Sequence, residues 1–221
     1  AEKYISYLES EVIPFIDDTY RTTSYKVLAG HSLAGNFVTY TMLKQPSLFT
    51  AYVAGSPGPP ELMIDLLKNT ESEADKDMPF RFFFSSIGSK DLTGEDLFQE
   101  IEQLLKQIYT EHDQMFFEVN ENEDHISNIS VNIQHALDKL YRGWLFTLPE
   151  DLAITRPADE LLKDYIAEVQ EKYGEDVYLG EYEVFYPVID RLGEKKEFSR
   201  AIGALHLLLK FHPNSDEACA R

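Results

Sequence analysis

The sequence predicts a parallel α/β sheet covered on both faces, followed by an all-helical tail. Three observations carry this expectation. Short apolar runs around Val27–Ala29, Ala51–Ala54, Phe80–Ile87 and Met115–Val119 alternate with segments of helical period. The runs are continuously apolar rather than alternating, as strands buried on both faces are. Beyond the connector that carries Pro149 and Pro157, every remaining segment has helical spacing.

Each element follows in order. Ile5, Leu8, Val12, Phe15 and Ile16 recur at spacings of three and four, which predicts one apolar helix face ending near Pro14 to Asp18. A buried strand then runs through Val27 to Gly30. After it, Phe37, Tyr40, Met42 and Leu43 continue a helix that Pro46 stops. Ala51–Ala54 is a second buried strand, broken by Gly55-Ser56-Pro57-Gly58-Pro59-Pro60, a loop expected to wall a pocket. A short helix from Glu61 to Lys68 and an acidic stretch, Glu71 to Asp77, lead to the strongest strand signal, Phe80 to Ile87, which ends at Gly88. Leu97, Ile101, Leu104, Leu105 and Ile108 define an amphipathic helix before the strand Met115–Val119. A polar loop, Asn120 to His125, precedes a helix expected to turn Ile129, Ile133, Leu137, Leu140 and Trp144 inward.

The character changes between Thr147 and Pro157, which sets the expected division into residues 1–148 and 149–221. In the tail, Leu162, Tyr165, Ile166, Val169 and Tyr173 form one stripe closed by Gly174, and two more helices are expected near Glu183–Leu192 and Phe198–Phe211. With Pro213 as the closing proline of a unit of about 34 residues, Phe185, Val188, Leu192, Ala201 and Leu205 fit a tetratricopeptide pattern in part. Ile189 and Leu208 depart from it, and an ordinary helical hairpin fits equally well.

Composition narrows the function classes. Acidic residues outnumber basic ones 39 to 20, for a formal charge of -19, which repels phosphate backbones and anionic membrane surfaces. Nucleic acid is therefore not an expected partner. The single cysteine, Cys219, supplies no internal disulfide framework and no cysteine metal site. No apolar run approaches the ~18 residues of a membrane span, and no signal peptide opens the chain. The chain starts at Ala1 within what reads as a domain interior, so a longer protein is expected, with its compartment open between cytoplasm and periplasm.

The chemistry centres on Gly30-His31-Ser32-Leu33-Ala34-Gly35. An apolar strand breaks there into a turn of small residues and continues as a helix, which places Ser32 on a nucleophile elbow above the carboxyl edge of the sheet. The usual pattern is GxSxG; here its second glycine is Ala34, with Gly35 one place later. The Leu33 backbone N–H then sits at a helix N-terminus, beside the place where a substrate oxyanion would form. A packing corner whose serine caps the helix is the structural alternative.

A serine hydroxyl needs a base that takes its proton and returns it to the leaving group. Of six histidines, only His125 follows the final strand at the edge where the elbow lies. His31 is expected to turn its ring away from Ser32, His112 precedes a strand, and His206 and His212 belong to the tail. His135 lies about 200° around its helix from Ile133 and is expected to face solvent. The carboxylate that orients the base belongs in the loop after the penultimate strand, where Asp91 comes first; Asp96 and Glu95 remain open, at the start of the next helix. Asp124 adjoins His125 in sequence and is badly placed to orient it.

On these residues, Ile5 to about Trp144 resembles the C-terminal two-thirds of the putative esterase family of α/β-hydrolases, which includes enterochelin esterases and esterase D. The resemblance rests on Tyr20-Arg21-Thr22, Leu28 to Leu33, Pro46-Ser47-Leu48-Phe49, Gly55-Ser56-Pro57 and Glu123-Asp124-His125, and on the chain order serine, acid, histidine. It implies carboxylic ester hydrolysis through an acyl-serine intermediate at positions matching Ser32 and His125, with no metal or organic cofactor and a small-molecule ester as partner. It also implies several strands and a second oxyanion donor before the position matching Ala1, a donor whose loss typically costs ~3 kcal/mol of transition-state stabilisation. Some members carry a tail that resembles tetratricopeptide repeats. Two other functions use the same residues or fold: an acyltransferase passing the acyl group to an alcohol, and a scaffold whose helical tail binds a protein partner.

Overall fold

The computed structural model describes residues 1–70, 81–109, 114–146 and 156–216. The acidic stretch 71–77, Phe80, His112, most of the 147–157 connector and Cys219 lie outside the described residues. The chain divides into two compact units, Ala1–Tyr141 and Arg142–Arg221. Among the described residues, no helix is long and apolar enough to cross a membrane.

In the first unit β1 (Val27–His31), β2 (Ala51–Gly55), β3 (Phe82–Gly88) and β4 (Met115–Asn120) form one sheet in the order β1-β2-β3-β4. All neighbours are parallel, with Gly30 opposite Ala54, Ala54 opposite Ser85, and Ser86 opposite Glu118. The crossovers are α3 (Leu33–Lys44), α4 (Pro60–Lys68) and α5 (Glu95–Ile108), and α6 (Asn128–Leu140) follows β4. Successive strand residues point to opposite faces. Tyr52, Ala54 and Phe83 therefore pack with Val38 and Met42 of α3, Met63 and Leu67 of α4, and Ile101 and Leu105 of α5. Ala51, Val53, Phe82 and Phe84 pack on the other face with Ala136 and Leu140 of α6. This is the two-faced parallel α/β fold that the apolar runs predict. β2 and β3 are buried along their whole length, whereas β1 lies at the sheet's edge and is only partly covered, so its apolar run is less buried than expected.

Two helices turn a different face inward from the one their apolar residues predict. Before the sheet, α1 (Glu2–Tyr7) and α2 (Ile13–Thr19) are joined by a π-helical turn, Leu8–Val12. The wider turn rotates the following residues, so Ile13 packs on the core beside Leu8 while Phe15 and Ile16 face outward. In α6 the buried positions are Asn128, Asn132, Ala136 and Leu140, and Ile129, Ile133 and Leu137 are exposed. The cause is polar: Asn128 and Asn132 reach the buried Ser86 hydroxyl at the end of β3, and those hydrogen bonds set the rotation of the helix. Trp144 lies beyond α6, stacked edge-on against Tyr173 within the second unit.

The second unit holds α7 (Ala158–Tyr173), a π-helical turn at Glu181–Phe185, α8 (Tyr186–Glu194) and α9 (Phe198–Phe211). The predicted stripe from Leu162 to Tyr173 is buried, and Gly174 ends α7 at a φ of 101°, a left-handed value that favours glycine. Phe185, Val188, Leu192, Ala201 and Leu208 are buried where α8 and α9 pack together, with Ala204 inside and Leu205 half-buried.

Candidate active site

Four consecutive strand ends converge at one edge of the sheet, bringing Ser32, Ser56, Asp91 and His125 from the loops after β1, β2, β3 and β4. Ser32 has φ 59° and ψ -123°, the strained backbone of a sharp strand-to-helix turn. Its amide donates to the Gly55 carbonyl at 2.9 Å, and its carbonyl accepts from the Asn36 amide at 3.1 Å. Two glycines permit this geometry. A Cβ on Gly30 would stand 2.5 Å from the Ala34 carbonyl oxygen, and one on Gly35 would stand 2.8 Å from the Gly55 carbonyl oxygen. Ala34 itself is exposed. The glycine that lets the helix approach the neighbouring strand is thus Gly35, which is why alanine is tolerated in the preceding place.

Ser32 Oγ lies 3.0 Å from His125 Nε2, and His125 Nδ1 lies 3.2 and 3.1 Å from the two carboxylate oxygens of Asp91. The Asp91 side chain is 1% exposed, while that of His125 is 33% exposed. Burial pushes the Asp91 pKa upward, but hydrogen bonds from the Ser56 hydroxyl, the Thr93 amide and His125 outweigh it and hold the pKa below the ordinary value. A carboxylate so held accepts from Nδ1–H, which leaves Nε2 as the acceptor facing the serine hydroxyl. Glu95 and Asp96, the alternatives, are exposed in the first turn of α5. Asp124 accepts from the Ile126 and Ser127 amides at 2.8 Å, closing the turn that enters α6. The Leu33 amide opens α3, where no preceding helical carbonyl can accept from it.

The acid and histidine loops are joined by backbone. Lys90 N–H donates to the Glu123 carbonyl, and Asn122 N–H to Ser89 Oγ, both at 2.9 Å. A Cβ on Gly88 would fall 2.2 Å from the Glu123 oxygen, so only glycine admits that approach. Beneath the loops lies a buried polar network. Asn128 Nδ2 donates to Ser56 Oγ at 3.0 Å and to the Ser86 carbonyl at 3.2 Å, and Asn120 Nδ2 donates to Asn128 Oδ1 at 2.6 Å. The chain Asn128 to Ser56 to Asp91 therefore runs from α6 to the carboxylate. Ser56 and Asn128 escaped the sequence reading. The signal for Ser56 was its place after the second strand, and the signal for Asn128 was an i, i+4 asparagine pair with Asn132.

His31 packs beside His125, with ring centroids 4.8 Å apart, and both of its nitrogens are buried without a hydrogen-bond partner. Burial, and then the neighbouring His125, lower its pKa. His135 is half-buried and pairs with Glu118 at 2.8 Å instead of facing solvent freely, and His206 and His212 stay in the tail. The loop from Gly55 to Pro60 does not wall the adjoining cavity. That cavity, of about 650 Å³, opens between α1, α3 and α4 and begins at Leu33 and Ala34. Among the described residues, no group of three or more His, Cys, Asp or Glu is arranged to hold a metal ion.

The sequence profile of the family described as "Putative esterase" matches residues 1–182. Ferri-bacillibactin esterase BesA of Bacillus subtilis (strain 168) is 36% identical over 58 residues, which span 26% of this chain and 20% of that protein. Among solved structures, an IroE-like serine hydrolase from Shewanella oneidensis superposes with a TM-score of 0.64 at 18% identity, covering 90% of this chain and 63% of its own. An uncharacterised protein from Capnocytophaga ochracea DSM 7271 does so with a TM-score of 0.62 at 14% identity, covering 95% and 59%. The chain thus spans less than two-thirds of each of these relatives, and the two structures share its fold.

Proposed function

The chain belongs to the putative esterase family, and from that premise we propose that it serves in a serine hydrolase that cleaves small carboxylic esters through an acyl-serine intermediate. The observation that carries this is the unbroken alignment Ser32 Oγ, His125 and Asp91, with donor–acceptor distances of 3.0 to 3.2 Å.

In this reading Ser32 Oγ attacks the ester carbonyl carbon while His125 Nε2 takes its proton. Asp91 holds the imidazole in the tautomer that accepts at Nε2 and stabilises the imidazolium that forms. The Leu33 amide donates to the oxyanion of the tetrahedral intermediate. Collapse expels the alcohol, which receives the proton from His125 Nε2. Water then attacks the acyl-serine, with His125 again as base, and releases the carboxylic acid and free Ser32. Ser56 and Asn128 support Asp91 from behind. The esterase named among the relatives supports hydrolysis as the outcome, with water as acyl acceptor.

The domain division belongs to the same proposal. Residues 1–148 carry the esterase chemistry, and residues 149–221 are a helical, tetratricopeptide-like tail available to a protein partner. The separation into compact units at Tyr141 and Arg142 supports it. The formal charge of -19 argues against a nucleic-acid partner. Hydrolysis of p-nitrophenyl esters by the full-length protein, compared with its Ser32→Ala variant, tests the assignment. The expected result is loss of at least ~10⁴-fold in kcat; turnover retained in the variant contradicts it.

A further inference from the structure

The reaction as described leaves one imidazole of the site without a part. His31 ends β1 and directly precedes Ser32, and its ring stands beside that of His125, with centroids 4.8 Å apart and planes tilted by 53°. Tilted aromatic rings at this separation attract each other. In the register of β1 and β2, His31 lies opposite Gly55, and a Cβ added to Gly55 would stand 3.0 Å from His31 Nδ1 and 3.0 Å from Asn132 Oδ1 of α6. A side chain on β2 would crowd the ring there, so the bare backbone of Gly55 leaves the space that the imidazole fills.

What His31 offers is its ring. Both nitrogens are buried and neither makes a hydrogen bond among the described residues, so the side chain neither donates to nor accepts from Ser32, His125 or Asp91. Burial, and then His125, lower its pKa, which keeps the ring uncharged beside the place where His125 becomes an imidazolium.

The contact matters because of how His125 is held. It sits in the turn between β4 and α6, outside any regular element, and its side chain is 33% exposed. In the free enzyme Ser32 Oγ at one end and Asp91 at the other fix the imidazole. An acyl-serine has no hydroxyl proton to give, so during deacylation the Ser32 bond is gone and Nε2 must face a water instead. Of the three contacts, Asp91 and the His31 ring then remain.

We propose that His31 is a positioning residue for deacylation: its ring holds the His125 imidazole in line for the attacking water once Ser32 carries the acyl group. The proposal rests on Ser32 as nucleophile and His125 as base.

The test follows acetyl transfer from p-nitrophenyl acetate to the full-length protein at neutral pH. Quenched-flow intact-mass and peptide mass spectrometry give the rate at which the acetyl adduct forms on Ser32 and the rate at which it decays. An aromatic pair of this kind corresponds to about two- to tenfold in a rate. His31→Leu, which removes the ring, should therefore slow decay by at least about threefold and slow formation by a smaller factor. His31→Phe keeps a ring and drops both nitrogens, and should return decay to within about twofold of the parent. A merely structural role would lower the fraction of protein that reacts and leave the two rates of the reacting fraction unchanged. Decay slowed by less than about threefold, or formation slowed as much as decay, overturns the proposal. Decay as slow in His31→Phe as in His31→Leu overturns the role of the ring. His31→Gln, ringless and polar, repeats the comparison if the leucine variant does not fold. A parent that forms no adduct on Ser32 marks failure of the nucleophile assignment, and the proposal falls with it; an adduct on Ser32 whose decay is indifferent to these substitutions marks failure of the proposal alone.

Discussion

At the scale of single residues, the site depends on a carboxylate that is buried yet ionised. Replacing Asp91 with Asn keeps its size but removes the charge that fixes the His125 tautomer, and kcat is expected to fall by roughly 10⁴-fold. Steady-state kinetics on the full-length variant checks this, and a loss below tenfold would return Asp96 or Glu95 to consideration. Of the three side chains, Ser32 was legible from its own motif and His125 from its place after the last strand. Asp91 was legible only as the first of three acids, because sequence order does not say which carboxylate will be buried. His31 packs its ring against that of His125. The His31 ring also predicts a pH effect. Its pKa in the folded state lies below the ordinary 6.5, so the unfolded chain binds the proton first and folded stability is lost as pH falls from about 6.5 toward the folded value. The thermal midpoint should therefore drop between pH 7 and 5, and His31→Phe should flatten that drop. An identical slope in the variant would show that His31 is not the group responsible.

At the scale of elements, strands were easier to read than helix faces. The apolar runs of β2 and β3 became fully buried parallel strands, because a run covered on both faces leaves the sequence little choice, whereas β4 at the edge is half-buried along its middle. In α6 the apolar stripe Ile129, Ile133 and Leu137 pointed to the wrong face. The winning face contains Asn128 and Asn132, whose partners Ser56, just after β2, and Ser86, in β3, are distant in sequence and invisible to periodicity. Asn128→Ala would leave Ser56 Oγ and Asn120 short of partners in a buried network, at a cost of about 1 to 3 kcal/mol. A fall of several degrees in the thermal midpoint, with a reduced kcat, is expected. The elbow gives a paired prediction. Gly35→Ala drives a methyl group toward the Gly55 carbonyl and should destabilise the fold by about 1 to 3 kcal/mol. Ala34→Gly restores the usual motif but places glycine in an exposed helical turn, costing up to ~1 kcal/mol with activity kept. Denaturant titration of both variants distinguishes packing at Gly35 from packing at Ala34.

At the scale of the whole molecule, topology does most of the chemical placement. Parallel strands in the order β1-β2-β3-β4 put every strand's carboxyl end at one edge, so side chains 34 and 93 residues apart in sequence meet within hydrogen-bond distance. The position of the cavity beside the elbow was not legible in sequence, since it depends on how α1, α3 and α4 lie against one another. The chain covers 63% and 59% of the two solved structures that share its fold, so the full-length protein is the right material for every kinetic test. Acid also acts on the whole fold. Asp91 is held below its ordinary 3.8, so a second loss of stability is expected as pH falls below that value, after the one set by His31.

The central claim is that Ser32 is an activated nucleophile, and covalent trapping addresses it most directly. Full-length protein treated with a fluorophosphonate and examined by intact-mass and peptide mass spectrometry should carry one adduct, on Ser32. Labelling should disappear in Ser32→Ala and slow severely in His125→Ala. An adduct on a different serine, or labelling of Ser32 at an undiminished rate without His125, would contradict the account.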